Sequence, residues 1–133
     1  GFSLIELLVV IALLGILAAI GSVSYLGYVD SAKQTDAKNG LSAIVMKQEQ
    51  YIFANDAYYD SADTCSIAIS TTLQTELFGS QNSLSMTDYC YYIGPLVGTN
   101  AAYTAYACQL GNTGECFTLD NLNVKGKTGD LSW

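Results

Sequence analysis

The chain has 133 residues, half of them apolar, a net charge of −7, and neither His nor Arg. So acidic a chain repels phosphate backbones, which argues against general nucleic-acid binding by its head, and without His it lacks the commonest general base and metal ligand. Four cysteines, an even number with no CxxC spacing, predict two disulfides formed in an oxidising compartment beyond the cytoplasm.

The first element is written in SLIELLVVIALLGILAAI, residues 3–20. It is apolar all round the helix axis, as a helix in lipid or in a wholly apolar bundle must be. Glu6 is the exception, since a carboxylate in hydrocarbon costs about 2–3 kcal/mol or more of insertion free energy. Residues 7–29 carry no charge, enough for a spanning helix of about 20 residues. The run has no basic segment before it and no small-residue cleavage site after it, so it reads as a retained helix rather than an ordinary secretory signal. Gly15 and Gly21 each cost about 1 kcal/mol relative to Ala and are the predicted places for local loosening.

From residue 29 to 53 the pattern turns amphipathic. Ala37, Leu41, Ile44, Val45, Met46, Tyr51 and Ile52 fall at helical spacing, and Asp30, Lys33, Asp36, Lys38, Lys47 and Glu49 take mainly the other positions. The two halves predict one helix of about 50 residues, about 75 Å long. NDAYYDSADTC is loop-like, and SIAISTTLQTELFG predicts a short helix ended by Gly79. Three strand-like runs follow, YCYYIGPLVG, AAYTAYACQL and CFTLDNLNV, with turns at residues 111–114 and at Lys125-Gly126-Lys127. Pro95 marks an edge or a bend in the first of them. The fold class is therefore α+β, a long N-terminal α-helix packed against a small antiparallel β-sheet.

A globular part of about 80 residues has a marginal core, and two crosslinks at roughly 2–4 kcal/mol each matter there. Cys108 and Cys116 flank the turn-rich QLGNTGE and can close a hairpin, which leaves Cys65 with Cys90. Four cysteines nonetheless allow three pairings. The acids Asp56, Asp60 and Asp63 read as a solvated loop in preference to a calcium site. The ten Tyr, four Phe and single Trp read as core and strand surface in preference to a path for electrons. Tyr25, Tyr28, Tyr51 and Phe53 are expected to pack along the helix. No nucleophile–base pair supports an enzyme.

The opening GFSLIELLVVIALLGILAAI resembles the N-terminus of type IV pilins and the related pseudopilins of secretion systems, densely over about 25 residues. That resemblance implies the type IV pilin fold, with residues 1–28 as the hydrophobic helix half and 29–133 as a globular head. The head divides into an amphipathic helix half 29–54, an αβ loop 55–87, and a sheet with C-terminal region 88–133. It further implies cleavage after Gly1, a processed and methylated N-terminus at Phe2, and a Glu6 carboxylate that pairs with the α-amino group of a neighbouring subunit. Many pilins carry Pro where Val23 stands, just before Tyr25, so any melted segment is expected to be shorter or to rest on Gly15 and Gly21 instead.

The implied partners are further copies of the chain, the inner membrane before assembly, a prepilin peptidase and the pilus assembly machinery; no cofactor is implied. The implied function is that of a major pilin at the cell surface, serving adhesion, motility or DNA uptake. The alternatives are a major pseudopilin of type II secretion and a minor DNA-uptake pilin. Two cysteine pairs, and the sparseness of Asp120 and Asp130 as a calcium loop, argue against the first. The second requires a basic stripe on the head, where Lys125 and Lys127 are the only compact basic spot.

Overall fold

The computed structural model describes residues 1–61, 63–79, 81–94, 102–129, 131 and 133, and at 23 and 24 the backbone alone. The expectations for Pro95, Asp130 and the Val23 side chain lie outside what is described. Two helices and four strands run in the order α1 (Leu4–Asn55), α2 (Ile67–Phe78), β1 (Tyr89–Gly94), β2 (Thr104–Gln109), β3 (Asn112–Asp120) and β4 (Lys125–Lys127). The strands form one antiparallel sheet in the order β1-β2-β3-β4, a meander. This is the α+β arrangement of a long N-terminal helix and a small antiparallel sheet. The chain divides into two compact units, Gly1–Gln34 and Thr35–Trp133, whereas the change in composition falls after residue 28.

In the second unit, Ala37, Leu41 and Ile44 of α1 share one core with Leu73, Leu77 and Phe78 of α2 and with Tyr91, Ile93, Ala105, Ala107, Phe117 and Leu119 of the sheet. The strand residues alternate, as a half-buried pleat requires, so the opposite face carries Cys90, Cys108, Cys116, Tyr92 and Tyr106. Tyr92 and Tyr106 are register partners whose rings stack 4.6 Å apart. Gln48 extends the buried stripe of α1, and its side chain bonds the backbone of Tyr59 in both directions, accepting from N at 2.9 Å and donating to O at 2.7 Å. That pair ties the loop after α1 back onto the helix.

α2 starts at Ser66, whose hydroxyl accepts from the Ile69 N–H, and stops at Gly79, whose positive φ of 67° suits a residue without Cβ. Two turn expectations need correction. The turn before β3 is confined to Leu110 and Gly111 (φ 87°), and Asn112 already pairs with Gln109. Lys125-Gly126-Lys127 is not a turn but β4, in register with Phe117, Thr118 and Leu119. Its local composition is turn-like; strand pairing supplied by β3 overrides it. The reversal that precedes it is held by Asp120, whose carboxylate accepts from the N–H groups of Leu122 (2.9 Å) and Val124 (2.8 Å).

β1 is an edge strand, which would ordinarily leave a row of unpaired backbone groups. Two serines occupy them. Ser61 Oγ accepts from Ile93 N at 2.7 Å and donates to Ile93 O. Ser70 Oγ, fully buried on α2, accepts from Tyr91 N at 2.7 Å, and its one proton serves Tyr91 O at 3.0 Å or Ser66 O at 2.8 Å. Between these clasps a disulfide joins Cys65 to Cys90, with Cα atoms 5.5 Å apart; a second joins Cys108 to Cys116.

Gly40 is the glycine the packing demands. A Cβ there would lie 2.8 Å from Tyr91 Cε1 and Oη, closer than any stable contact. The Tyr91 hydroxyl is buried and has no hydrogen-bond partner. Gly40→Ala is therefore expected to lower the melting temperature, its overpacking cost of about 1–3 kcal/mol exceeding the roughly 1 kcal/mol gained in helix propensity. Tyr91→Phe removes an unsatisfied oxygen and is expected to melt no lower than the parent. Thermal melts of both variants check the pair; a Tyr91→Phe protein several degrees less stable contradicts the assignment.

Burial pushes the Tyr91 and Tyr103 phenols well above the ordinary tyrosine range, with Asp36 and Tyr89 adding to the first, and Glu49, Tyr58 and Asp120 to the second. Tyr59, Tyr92 and Tyr106 shift upward for the same leading reason, desolvation. The unfolded chain releases these protons near pH 10 while the folded chain retains them. This contribution to stability is complete below pH 10 and is lost as pH rises towards the folded values. Alkaline titration followed at 295 nm is expected to show part of the tyrosine absorbance appearing only with unfolding. Full ionisation near pH 10 in a still-folded head contradicts this.

Candidate assembly site

The first unit presents an unusual surface for a chain in water. α1 is long and apolar enough to cross a membrane by length and composition, and 0% of its most apolar 18-residue window is buried within the chain. Phe2 is 92% exposed, and Leu4, Ile5, Leu7, Leu8, Val9 and Val10 are exposed as well. A contiguous apolar patch of this extent marks a surface made for lipid or protein. Backbone hydrogen bonds from the Glu6 and Leu7 N–H groups to Ser3 O start the helix.

Glu6 lies in the first turn of α1, where a carboxylate complements the positive end of the helix dipole. It is exposed, as are Gly1 and Phe2. The Glu6 carboxylate and the backbone at Phe2 are thus both accessible in the single chain. Gly15 and Gly21 are helical, and a Cβ at either would meet nothing within 4 Å; the single chain keeps α1 helical at both.

Three of the four aromatic positions expected to pack along the helix do not. Tyr51 packs, its ring 5.7 Å from that of Tyr59, but Tyr25, Tyr28 and Phe53 are exposed, Phe53 at 87%. Nothing in the single chain covers them. Asp56, Asp60 and Asp63 are all exposed, and among the described residues no group of three or more His, Cys, Asp or Glu is placed to hold a metal ion. Lys125 lies over the Trp133 ring at 5.2 Å, and Lys38 over the same ring at 5.9 Å.

Residues 1–22 match the family described as the prokaryotic N-terminal methylation motif. The chain is 38% identical over 68 residues to the type IV major pilin protein PilA of Myxococcus xanthus (strain DK1622). Both similarities point to the type IV pilin family. The exposed apolar helix, Glu6 in its first turn and the four-stranded antiparallel sheet are consistent with that resemblance. The matched region covers 51% of this chain but 31% of that relative, so the chain spans about a third of the relative's length. No solved structure matches it.

Gly40, Gln48, Ser61 and Ser70 matter in the fold but do not stand out in the sequence. Gln48 carries a usable signal, since it follows Ala37, Leu41 and Ile44 on one helical stripe where a polar residue needs a partner. The two serines carry none, because their role depends on which strand becomes the edge.

Proposed function

We propose that the chain is the major structural subunit of a type IV pilus and polymerises through residues 2–28. The observation that carries this reading is the apolar first half of α1, whose described side chains up to residue 28 are all exposed, Glu6 among them. Before assembly the inner membrane covers that surface. Afterwards neighbouring helices cover it, which supplies most of the attraction at about 25 cal/mol per Å² of apolar surface buried.

The chain would be processed after Gly1, methylated at Phe2, and docked so that Glu6 neutralises the α-amino group of the preceding subunit. An ion pair in an apolar core adds little net attraction but is costly when misaligned; it fixes axial register. Each subunit uses one surface to join the last and another to receive the next, so growth is helical and does not close. Tyr25, Tyr28 and Phe53, bare in the single chain, would be covered in the same filament. Extension is driven by the assembly machinery, and the pilus at the cell surface serves adhesion, motility or DNA uptake.

Sheared surface material from the host, probed for this chain and imaged by electron microscopy, tests the proposal. Abundant thin filaments several micrometres long that label along their length are expected. Label confined to the inner membrane or to filament tips would overturn the major-subunit reading.

A further inference from the structure

The four cysteines form one row. Cys90, Cys108 and Cys116 are register partners across β1, β2 and β3, all on the sheet face opposite the core. Cys65 reaches the same row from the segment before α2, bonded to Cys90. The sulfurs of Cys65 and Cys90 lie 3.7 and 3.2 Å from the carbonyl oxygen of Cys108, so the first disulfide rests on the residue that anchors the second. Burial is graded along the row: Cys90, Cys108 and Cys116 are buried, while Cys65 is partly exposed.

Thiol–disulfide exchange needs a thiolate to attack one sulfur in line with the bond that breaks, through a mixed disulfide. The register sets the three cysteines in the order such a relay needs, since Cys90, Cys108 and Cys116 follow one another across the strands. Leu110 N donates to Asp88 O at 2.9 Å, which makes Cys90 and Cys108, two residues further along each strand, a hydrogen-bonded pair. Such pairs hold their Cα atoms about 5.5 Å apart, inside the roughly 4.4–6.8 Å that a disulfide spans.

We propose that Cys65 is the point at which a small external thiolate, such as glutathione, attacks the head, and that Cys90 relays the exchange to the Cys108–Cys116 bond. The external thiolate bonds the Cys65 sulfur, and Cys90 leaves as a thiolate. Cys90 then bonds the Cys108 sulfur, and Cys116 leaves as a thiolate. Two disulfides and one thiolate are present before and after each step, so no oxidant or reductant is consumed. The product carries the external thiol on Cys65, a Cys90–Cys108 bond and a free Cys116. The reverse sequence restores the starting pairs, so one partly exposed cysteine lets the head re-sort both crosslinks.

The test uses the full chain in detergent micelles, exposed to reduced glutathione, quenched with acid at intervals, alkylated, and mapped by mass spectrometry. The expected early species has glutathione on Cys65, a Cys90–Cys108 link and alkylated Cys116. Cys65→Ser, with no glutathione added, is expected to show the Cys90–Cys108 link beside Cys108–Cys116, and to incorporate glutathione at least tenfold more slowly than the parent, as buried sulfurs require. The proposal is overturned if glutathione first appears on Cys108 or Cys116. It is equally overturned if Cys90 is recovered alkylated at every interval with Cys108–Cys116 intact, or if Cys65→Ser incorporates glutathione at the parental rate.

Discussion

Cells producing only the Glu6→Ala chain are expected to assemble few or no filaments, while the head of the variant melts at the parental temperature. Removing one partner of a buried ion pair leaves the other charge uncompensated, at a cost of about 3–5 kcal/mol. At 1.4 kcal/mol per factor of ten, that weakens each subunit addition by more than a hundredfold. Glu6 is exposed and lies in the first unit, whereas the core of the head is built within the second, Thr35–Trp133. Quantitative immunoblotting of sheared and membrane fractions, with a thermal melt of the detergent-solubilised chain, separates the two effects. A variant that builds normal filaments contradicts the role assigned to Glu6; one whose head unfolds would mean that Glu6 serves the fold instead.

The largest effect on the head is expected from Ser70→Ala. That hydroxyl meets both the N–H and the C=O of Tyr91 where β1 has no strand neighbour, and the residue is fully buried. Its loss leaves two backbone groups without partners at about 1–3 kcal/mol each. For a head of about 100 residues, each kcal/mol moves the midpoint by about 4–8 °C, so a drop of 10 °C or more is expected. Ser61→Ala should cost less, because its bonds to Ile93 are only partly buried and water can replace them. Ser42→Ala, which removes an exposed bond to Lys38 O, serves as the control and should change little. A Ser70→Ala head that melts within a degree or two of the parent would mean the β1 edge is satisfied in some other way.

The features legible in the sequence are those that repeat. The apolar run at residues 3–20 and the stripe Ala37, Leu41, Ile44 state their helix over several turns, and Gly79 marks the end of α2 because a left-handed residue there favours glycine. Glu6 is legible for the opposite reason, as the one carboxylate in a context that penalises it. What escaped the sequence depends on neighbours distant in the chain. Lys125-Gly126-Lys127 becomes a strand only because β3 offers a free edge at Phe117, Thr118 and Leu119. Gly40 is required only because the Tyr91 ring lies against it, a contact between residues about 50 positions apart. Ser61 and Ser70 resemble any serine until β1 is known to be the edge. Tyr25, Tyr28 and Phe53 sit at helical positions that suggest packing, yet nothing among the described residues covers them; in the proposed filament neighbouring subunits would.

Cryo-electron microscopy of filaments sheared from the producing cells tests the polymerisation account most directly. It predicts residues 2–28 bundled along the filament axis, heads outside, and each Glu6 carboxylate within 4 Å of a neighbour's N-terminal nitrogen. Filaments in which these helices lie apart, or in which Glu6 faces solvent or pairs within its own chain, would contradict it.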